Sequence, residues 1–303
     1  MKAGFIAIAG RPNVGKSTLF NRILGPQLSI VSRRRQTTRY CVRGIAEVPG
    51  AQMIFLDTPG WQTEHSGSLN ASLRRRAERA LPGTDACLLV IAGSRIAAAD
   101  RSVALKVPRS VPLVIAFNKI DLIGDRSLLL PAIEQVCQWR PVAACVPISA
   151  KTGEGVPALV AELVRLLPVS GRLFPKGMIS DMDEGFFATE FVREQLFRLL
   201  GDELPYSVAV ELRGINSGGN GRALRISADI VVDRPSCQAI VVGAGGTMIK
   251  RIGTAARRRF ERFAGRRTHL DLRVVVRRGW HTRPGQLARL NLLETGGGRQ
   301  PGQ

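Results

Sequence analysis

The segment Gly10-Arg11-Pro12-Asn13-Val14-Gly15-Lys16-Ser17 restricts what this chain can fold into more than any other feature. It follows an apolar run at residues 5–9 and precedes an amphipathic run at residues 18–24, so it lies between a buried strand and a helix. The spacing matches G-x-x-x-x-G-K-[ST], in which glycines let consecutive backbone N–H groups surround a polyphosphate at a helix N-terminus. The segment therefore predicts a P-loop in an α/β domain with a mostly parallel sheet.

Two side chains of this loop have predicted roles at the phosphates. Lys16 is expected to neutralise the β- and γ-phosphates, and the hydroxyl of Ser17 is expected to bind Mg²⁺. A Gly-rich turn with an incidental lysine could produce the same pattern, so the prediction depends on further motifs. The residues predicted to surround the phosphates are Gly10, Asn13, Val14, Gly15, Lys16, Ser17 and Thr18.

Three further apolar strands end in short polar motifs. Residues 53–56 lead into Asp57-Thr58-Pro59-Gly60, which provides a carboxylate for Mg²⁺ and a glycine near the γ-phosphate. Residues 113–117 lead into Asn118-Lys119-Ile120-Asp121, and residues 143–148 lead into Ser149-Ala150-Lys151. The Asp121 carboxylate can accept from the N1–H and N2–H₂ groups of guanine, a donor pair that adenine lacks, and the backbone at 149–151 can meet guanine O6. Together these motifs predict a guanine nucleotide site.

The order of the motifs resembles the translation-factor-like GTPases, in which they correspond to the G1, G3, G4 and G5 elements. The remaining element, the switch I threonine, falls in Gln36-Thr37-Thr38-Arg39, about 20 residues after Lys16. Thr38 is the preferred candidate and Thr37 is the alternative. The resemblance implies a Mg²⁺-dependent GTPase in which Lys16, Thr38 and Gly60 are the catalytic candidates. Its predicted metal ligands are Ser17, Thr38 and Asp57.

One position departs from the Ras-like pattern. Trp61 stands where those enzymes have a glutamine that orients the attacking water. Since Trp61 has no group to orient water, we expect Mg²⁺, Lys16 and backbone amides to stabilise the charge of the transition state. Asn13 either holds a K⁺ ion, as in related GTPases with Asn at this loop position, or is a structural loop residue.

The net charge of +20 favours a polyanionic partner. Residues 1–170 contain 22 Lys and Arg against 11 Asp and Glu, residues 171–233 contain 7 against 10, and residues 234–303 contain 15 against 3. A coding bias towards arginine would spread the excess evenly, so its concentration favours a nucleic-acid surface near the C-terminus. The arginine runs at 33–35 and 74–76 are either solvated faces or contacts with ribosomal RNA.

The chain length of 303 residues suits two domains. We predict a nucleotide domain over residues 1–170, a linker over 171–185, a smaller α+β domain over 186–293 and a flexible tail over 294–303. In the first domain, strands alternate with helices predicted at 100–107, 127–139 and 156–167, and with a further helix at 69–81. Strands at Val42–Val48 and Ala51–Asp57 are expected to form an antiparallel hairpin in an otherwise parallel sheet.

The second domain has the predicted order α-β-β-α-α-β. It comprises a helix at 186–200, strands at 206–212 and 224–232 with a turn at 217–221, a short helix from residue 236, a helix at Thr247–Ala264 and a strand at 269–276. Gly243-Ala244-Gly245-Gly246 forms a G-x-x-G turn between adjacent helices. This order resembles a type II KH domain, in which such a turn brings backbone amides close to the sugar-phosphate of a single RNA strand.

The KH resemblance implies a set of RNA-binding residues. Family members generally carry a basic or polar residue inside the turn, whereas here Ala244 and Gly245 occupy it. The basic run that follows, including Arg259, is therefore expected to contact phosphates. The predicted RNA-binding residues are Gly243, Ala244, Gly245, Gly246, Lys250, Arg251, Arg257 and Arg258.

Apolar runs and cysteines predict the cellular compartment of the protein. No run of 18 or more apolar residues and no signal-peptide pattern occurs, which predicts a cytoplasmic protein. The 5 cysteines are odd in number and widely spaced, and most lie inside apolar runs. They are expected to be buried thiols, with neither disulfides nor zinc ligands among them.

A P-loop GTPase of about 170 residues followed by one KH domain resembles the Era GTPase family. Arg193-Glu194-Gln195 and Glu203-Leu204-Pro205-Tyr206-Ser207-Val208 add to that resemblance. It implies a bacterial ribosome-assembly factor that is monomeric and whose KH groove binds the 3′ end of 16S ribosomal RNA in the 30S subunit. RNA binding and release would be coupled to GTP or GDP, with peripheral association at the inner membrane.

Two other classes of protein fit these residues less well. A metabolic P-loop kinase or ATPase is disfavoured by Asn118-Lys119-Ile120-Asp121, which selects guanine. An RNA-binding scaffold with an inactive GTPase domain is disfavoured by the intact metal and phosphate residues.

Overall fold

A computed structural model describes residues 1–25, 28, 42–57, 81, 83–200, 204–217 and 223–290. They fall into two units, the first extending to Asp181 and the second beginning at Met182. Several predictions lie outside the described residues, namely the switch I threonines Thr37 and Thr38, Gly60 and Trp61, the helix at 69–81, the two arginine runs at 33–35 and 74–76, and the tail.

Apolar runs of the first unit form a six-stranded sheet in the order β2-β3-β1-β4-β5-β6. Neighbouring strands are parallel, except that β2 and β3 are antiparallel from Val42↔Asp57 to Val48↔Ala51. The predicted hairpin in a parallel sheet is therefore confirmed. The strands are β1 (Lys2–Ala9), β2 (Val42–Val48), β3 (Ala51–Asp57), β4 (Ala86–Ala92), β5 (Leu113–Asn118) and β6 (Ala144–Pro147).

The helices of the first unit explain why its central strands are apolar at consecutive positions. Six of the seven residues of β4 are buried, as expected for a parallel strand covered on both faces. The three helices predicted downstream of β4 are confirmed, with ends that shift by at most two residues. The helices are α1 (Lys16–Leu24), α2 (Ala98–Lys106), α3 (Leu129–Cys137) and α4 (Val156–Leu166).

Residues 171–181, the first part of the predicted linker, lie against strands β2 and β3. The buried side chain of Gln52 accepts from the backbone N–H groups of Leu173 and Phe174, both at 2.9 Å. The N–H of Ile45 donates to the carbonyl of Ile179 at 2.9 Å, which satisfies a donor of the edge strand β2. The domain boundaries at residues 170 and 186 remain predictions.

The second unit confirms the predicted order α-β-β-α-α-β. Its sheet has the order β7-β8-β9, in which β8 is antiparallel to β7 and parallel to β9. Buried apolar residues of α5, α6 and α7 form a core with one face of this sheet. The elements are α5 (Glu184–Leu199), β7 (Val208–Ser217), β8 (Ala223–Val232), α6 (Pro235–Val242), α7 (Thr247–Ala264), β9 (Arg267–Val276) and α8 (Pro284–Arg289).

In the second unit, one predicted strand is corrected and one helix is added. The strand predicted at 206–212 spans Val208–Ser217, because the polar end of β7 pairs with β8 as far as Ser217↔Leu224. A register shift between Leu212 and Gly214 interrupts the alternation of side chains, so the pattern ends before the strand does. Helix α8 was not predicted. The preceding Trp280 is buried, and its indole N–H donates to the carbonyl of Ser207 at 3.0 Å.

The cysteine prediction is partly wrong. Cys87 is buried in β4, and burial raises its pKa to about 12, so this thiol is inert at neutral pH. Cys137 is exposed, however, and Cys145 and Cys237 are half-buried. In the part of the chain that the structure describes, no group of His, Cys, Asp and Glu is arranged to hold a metal ion. No helix there is long and apolar enough to cross a membrane.

Candidate nucleotide and RNA sites

The P-loop is a closed turn with an ammonium group inside it. Gly10 and Gly15 have φ values of 139° and 103°, which side-chain-bearing residues rarely adopt. The Nζ of Lys16 donates to the carbonyls of Gly10 and Arg11 at 2.9 and 2.8 Å, and Lys16 is buried. Because α1 begins directly after Gly15, its N-terminal N–H groups and the ammonium favour an anion at the same place.

Asn118 joins three of the predicted motifs. Its Nδ2 donates to the carbonyl of Val14 in the P-loop at 2.8 Å. Its Oδ1 accepts from the N–H groups of Lys119 and Ala150, both at 2.8 Å. The Nζ of Lys119 reaches back to the carbonyl of Asn13 at 2.7 Å. The residues predicted from widely separated motifs therefore meet at the carboxyl edge of the sheet, as in other open α/β sheets.

The base-recognition residue Asp121 is held by the third motif. Its Oδ1 accepts from the hydroxyl of Ser149 at 2.7 Å, and that hydroxyl in turn accepts from the N–H of Thr152 at 3.1 Å. The structure reduces the number of backbone N–H groups at 149–151 that could donate to guanine O6 as predicted. The N–H of Ala150 already donates to Asn118, while that of Lys151 has no acceptor among the described residues.

Sequence reasoning missed Arg22, in the last turn of α1. Its Nε donates to the carbonyl of Ala150 at 3.2 Å, and its Nη2 donates to the carbonyl of Lys151. Helix α1 thus begins in the phosphate loop and ends on the loop predicted to meet the base. No motif contains Arg22, so only the fold could show this contact.

Arg11 connects the P-loop to α2. Its Nε lies 2.7 Å from Oδ1 of Asp100, which is fully buried. The Oδ2 of Asp100 accepts from the N–H of Ala97 at 2.9 Å, at the start of the helix. This pair anchors the loop whose carbonyl at Arg11 binds Lys16.

Of the predicted Mg²⁺ ligands, Ser17 and the backbone of Asp57 lie in the described residues, whereas Thr38 does not. Ser17 is in the first turn of α1. Asp57 ends β3 and is in register with Ile8 of β1, two residues before the P-loop. Hydroxyl and carboxylate oxygens at these positions fit the ligand preference of Mg²⁺.

The G-x-x-G turn lies between α6 and α7 and exposes backbone. Gly243 has φ 73°, and a Cβ there would lie 2.7 Å from the Cβ of Met248, so only glycine fits. Gly245 and Gly246 also have positive φ values, but a Cβ at either would have no atom within 4 Å. Ala244 and Gly245 are exposed. Gly243 is therefore required by packing, whereas the positions of Gly245 and Gly246 leave space for a ligand.

A groove of about 430 Å³ lies between α7 and the edge strand β9. Two of the predicted RNA-binding residues, Lys250 and Arg257, line it, whereas Arg251 and Arg258 are exposed elsewhere on α7. Sequence reasoning missed Thr254 and His269, although Thr254 is four residues after Lys250 and so shares its helix face. The lining residues are Ile249, Lys250, Gly253, Thr254, Arg257, His269, Leu270, Asp271 and Leu272. This mixed apolar and basic lining suits bases and phosphates of a single strand.

Arg259, which was expected to contact phosphates with its neighbours, faces α5 instead. It lies 2.5 Å from the buried carboxylate of Glu194, and its guanidinium is 4.6 Å from the ring centroid of Phe191. Burial lowers the pKa of Arg259 from its ordinary value, and the charge of Glu194 opposes that shift. Arg259 therefore stabilises the packing of α7 on α5.

The fold and the two sites define a class of protein, a P-loop GTPase followed by a KH domain. Residues 5–119 match the family model described as 50S ribosome-binding GTPase, and residues 203–281 match the KH domain. The chain is 43% identical to GTPase Era of Xanthomonas oryzae over 281 residues, which cover 92% of this chain and 93% of that one. It is 44% identical to GTPase Era of Stenotrophomonas maltophilia over 279 residues, 91% of this chain and 93% of the relative.

Two solved structures agree with these sequence relatives. Both are 37% identical to this chain with a TM-score of 0.91, covering 97% of this chain and all of the other. One is a variant of Aquifex aeolicus Era bound to GDP and AlF4⁻. The other is Era in complex with MgGDPNP and nucleotides 1506–1542 of 16S ribosomal RNA. The chain belongs to the Era family of GTPases, which confirms the predicted resemblance.

The contacts of Arg22 predict a specific effect on base recognition. Replacing Arg22 by Gln should release the loop at 150–151 and weaken GTP binding about tenfold, the cost of losing hydrogen bonds from a charged donor. The affinity for 2,6-diaminopurine riboside triphosphate, which has an amino group in place of O6, should change less than about twofold. Calorimetric titration with both nucleotides measures the difference.

Arg165→Gln is the matched control, because Arg165 is an exposed arginine on α4 that pairs with Glu162. Arg22→Lys should recover part of the GTP affinity, since an ammonium can donate to the same carbonyls. Equal losses for both nucleotides would show that Arg22 supports the fold without positioning the base loop.

Proposed function

We propose that this chain binds GTP and hydrolyses it to GDP and phosphate, with Mg²⁺ as cofactor. The observation that carries the proposal is the junction at Asn118, which holds the phosphate loop and both base-recognition motifs in one site. Lys16 would bind the β- and γ-phosphates. Ser17, Asp57 and Thr38 would hold Mg²⁺, which supplies positive charge to the phosphates, and the backbone of Gly60 would meet the γ-phosphate. The relatives solved with GDP and AlF4⁻ and with MgGDPNP support this assignment.

Guanine specificity is assigned to Asp121, whose carboxylate is oriented by Ser149. In Asp121→Asn, the amide can donate to the extra carbonyl of xanthine, so preference should move from GTP towards XTP. Competition between the two nucleotides for the wild-type and variant proteins measures this change. An unchanged ratio of GTP to XTP affinity in the variant would remove Asp121 from base recognition.

Catalysis without a glutamine is assigned to Mg²⁺, Lys16 and backbone amides, with K⁺ as a candidate further cation at Asn13. Asn13 has φ 63°, and its carbonyl accepts from Lys119, which also suits a purely structural role. If Asn13 holds K⁺, turnover should be slow in NaCl and faster in KCl, and Asn13→Ala should abolish the difference. Steady-state phosphate release in the two salts is the measurement, and equal rates would leave Asn13 structural.

The second unit is proposed to bind single-stranded RNA, specifically the 3′ end of 16S ribosomal RNA. The turn at 243–246 with its exposed backbone lies beside the groove lined by Lys250 and Arg257, and the solved relative in complex with 16S RNA supports this partner. Arg251 and Arg258 would add longer-range attraction for phosphates. A nucleotide-dependent crosslinking map on ribosomal RNA would test both the site and its coupling to the GTP or GDP state.

Three finer parts of the function rest on the family resemblance, namely a role in assembly of the 30S subunit, a monomeric state and peripheral association with the inner membrane. A cytoplasmic location is a prediction from the sequence pattern. Sedimentation of purified protein with 30S subunits and with vesicles of inner-membrane lipids would test the partners. Light scattering would test the monomeric state.

The RNA assignment predicts the effect of two acidic substitutions in the turn. Replacing Ala244 and Gly245 by Asp places two carboxylates where phosphates must lie, and RNA affinity should fall more than about tenfold. The change should be compatible with folding, because a Cβ at Gly245 meets no atom within 4 Å and Asp tolerates positive φ. GTP affinity should stay unchanged.

A salt titration gives a second measurement. The slope of log affinity against log salt should be about −0.7 per phosphate neutralised, and shallower for the double Asp variant. Unaltered RNA affinity in a folded variant would leave the turn as a helix connector. RNA binding would then have to be sought on the arginine-rich segments of the first unit.

A further inference from the structure

The sheet face opposite α5 and α7 carries charged side chains that are largely neutralised in its middle. Asp229 is buried between two arginines, Arg213 at 2.8 Å and Arg273 at 2.6 Å. Arg213 also lies 2.7 Å from Asp271, and Arg277 lies 2.6 Å from Glu211. Every arginine of this group therefore has a carboxylate partner, so this part of the face offers little net charge to a polyanion.

At the end of this face where β8 and β9 begin, the charged side chains are not neutralised in this way. The strand register places Asn216, Arg225 and His269 side by side in one row across β7, β8 and β9, and all three are exposed. The next outward-facing pair along the strands is Ala223 with Arg267. Within the described residues, neither Arg225, Arg267 nor His269 has a carboxylate within ion-pair distance. Among the described residues, the arginines at this end therefore differ from those in the middle of the face, since Arg225 and Arg267 have no carboxylate partner.

This row borders a second cavity of about 380 Å³. It is lined by Asn216, Ser217, Ala223, Leu224, Arg225 and His269. His269 also lines the groove between α7 and β9. The two cavities thus meet at one side chain on the edge strand, so a strand of RNA that leaves the groove past His269 arrives at the second cavity.

We propose that the second cavity binds one further nucleotide of the single-stranded RNA, beyond those held in the groove. The base stacks on the planes of the His269 imidazole and the Arg225 guanidinium, which are common stacking partners for unpaired bases. The amide of Asn216 can both donate and accept, so it can bond a base edge. Arg267 attracts the following phosphate. The proposal rests on the proposed binding of RNA by this unit.

A length series tests this site. Oligoribonucleotides from the 3′ end of 16S ribosomal RNA, from about four nucleotides upward, are extended one nucleotide at a time from either end. Wild-type affinity should rise about fivefold or more at the step that fills the cavity, as expected for a stacked base. In the full-length Arg225→Gln variant this step should disappear, while the affinity for the shortest oligonucleotide stays within about twofold.

Arg278→Gln is the matched control, because Arg278 is also exposed but follows the opposite end of β9. Removing its charge should lower affinity slightly and equally at every length. A second arm uses an abasic nucleotide at the critical position, which should remove the gain in wild type and leave Arg225→Gln unaffected. Asn216→Ala, at an exposed position, is a second variant and should give a smaller loss confined to the same step.

The outcomes separate this site from the proposed function. If wild-type protein fails to bind the short oligonucleotides, the RNA-binding function itself is wrong. If wild type binds but Arg225→Gln and Arg278→Gln lower affinity alike at all lengths, Arg225 contributes only general charge and the second site is overturned.

Discussion

The buried side-chain amide of Asn118 is the interaction on which the nucleotide site depends. It makes hydrogen bonds to Val14, Lys119 and Ala150, which belong to three segments far apart in the sequence. Because a buried amide left without partners costs about 1–3 kcal/mol per lost bond, these segments are held at fixed distances. The same amide explains why residue 15 of the P-loop is glycine, since a Cβ at Gly15 would lie 2.2 Å from Nδ2 of Asn118.

Helix α1 extends this coupling from the phosphates to the base. Its N-terminus is part of the phosphate loop, and Arg22 in its last turn holds the carbonyls of Ala150 and Lys151. Asn118 holds the amide of Ala150 from the other side. The loop at 149–151 is thus fixed from two directions, by Asn118 of a predicted motif and by Arg22, which no motif contains. These contacts also set the position of the neighbouring backbone N–H of Lys151. A preorganised donor of this kind needs little rearrangement when a ligand arrives.

In the second unit, some of the positively charged side chains pair with carboxylates inside the domain, and others are left exposed on its surface. Arg259 and Arg273 pair with the buried carboxylates of Glu194 and Asp229, and Arg266 pairs with Glu184. Arg259 and Arg273 hold helices and strands together, since the buried carboxylates of Glu194 and Asp229 need partners. Lys250, Arg257 and the residues around the two cavities remain for a ligand. The composition of residues 234–303 therefore overstates the charge available to RNA, although its sign and location are informative.

The sequence by itself determined the P-loop, the order of strands and helices, the antiparallel hairpin of β2 and β3 and the KH arrangement. These follow from local motifs and from the periodicity of apolar residues, which a chain carries wherever its other segments lie. The sequence also predicted RNA-binding residues on α7, but it did not separate Lys250 and Arg257, which line the groove, from Arg251 and Arg258, which do not.

Only the tertiary structure decided which polar side chains serve the sites and which serve packing. Arg22, His269 and the pair Arg11–Asp100 act through partners distant in sequence, and Arg259 turns away from the surface because Glu194 is buried on the neighbouring helix. The far end of β7 likewise forms because β8 offers it a ladder of hydrogen bonds, which its own polar sequence does not signal. Such choices depend on which segments meet after folding, so local pattern does not contain them.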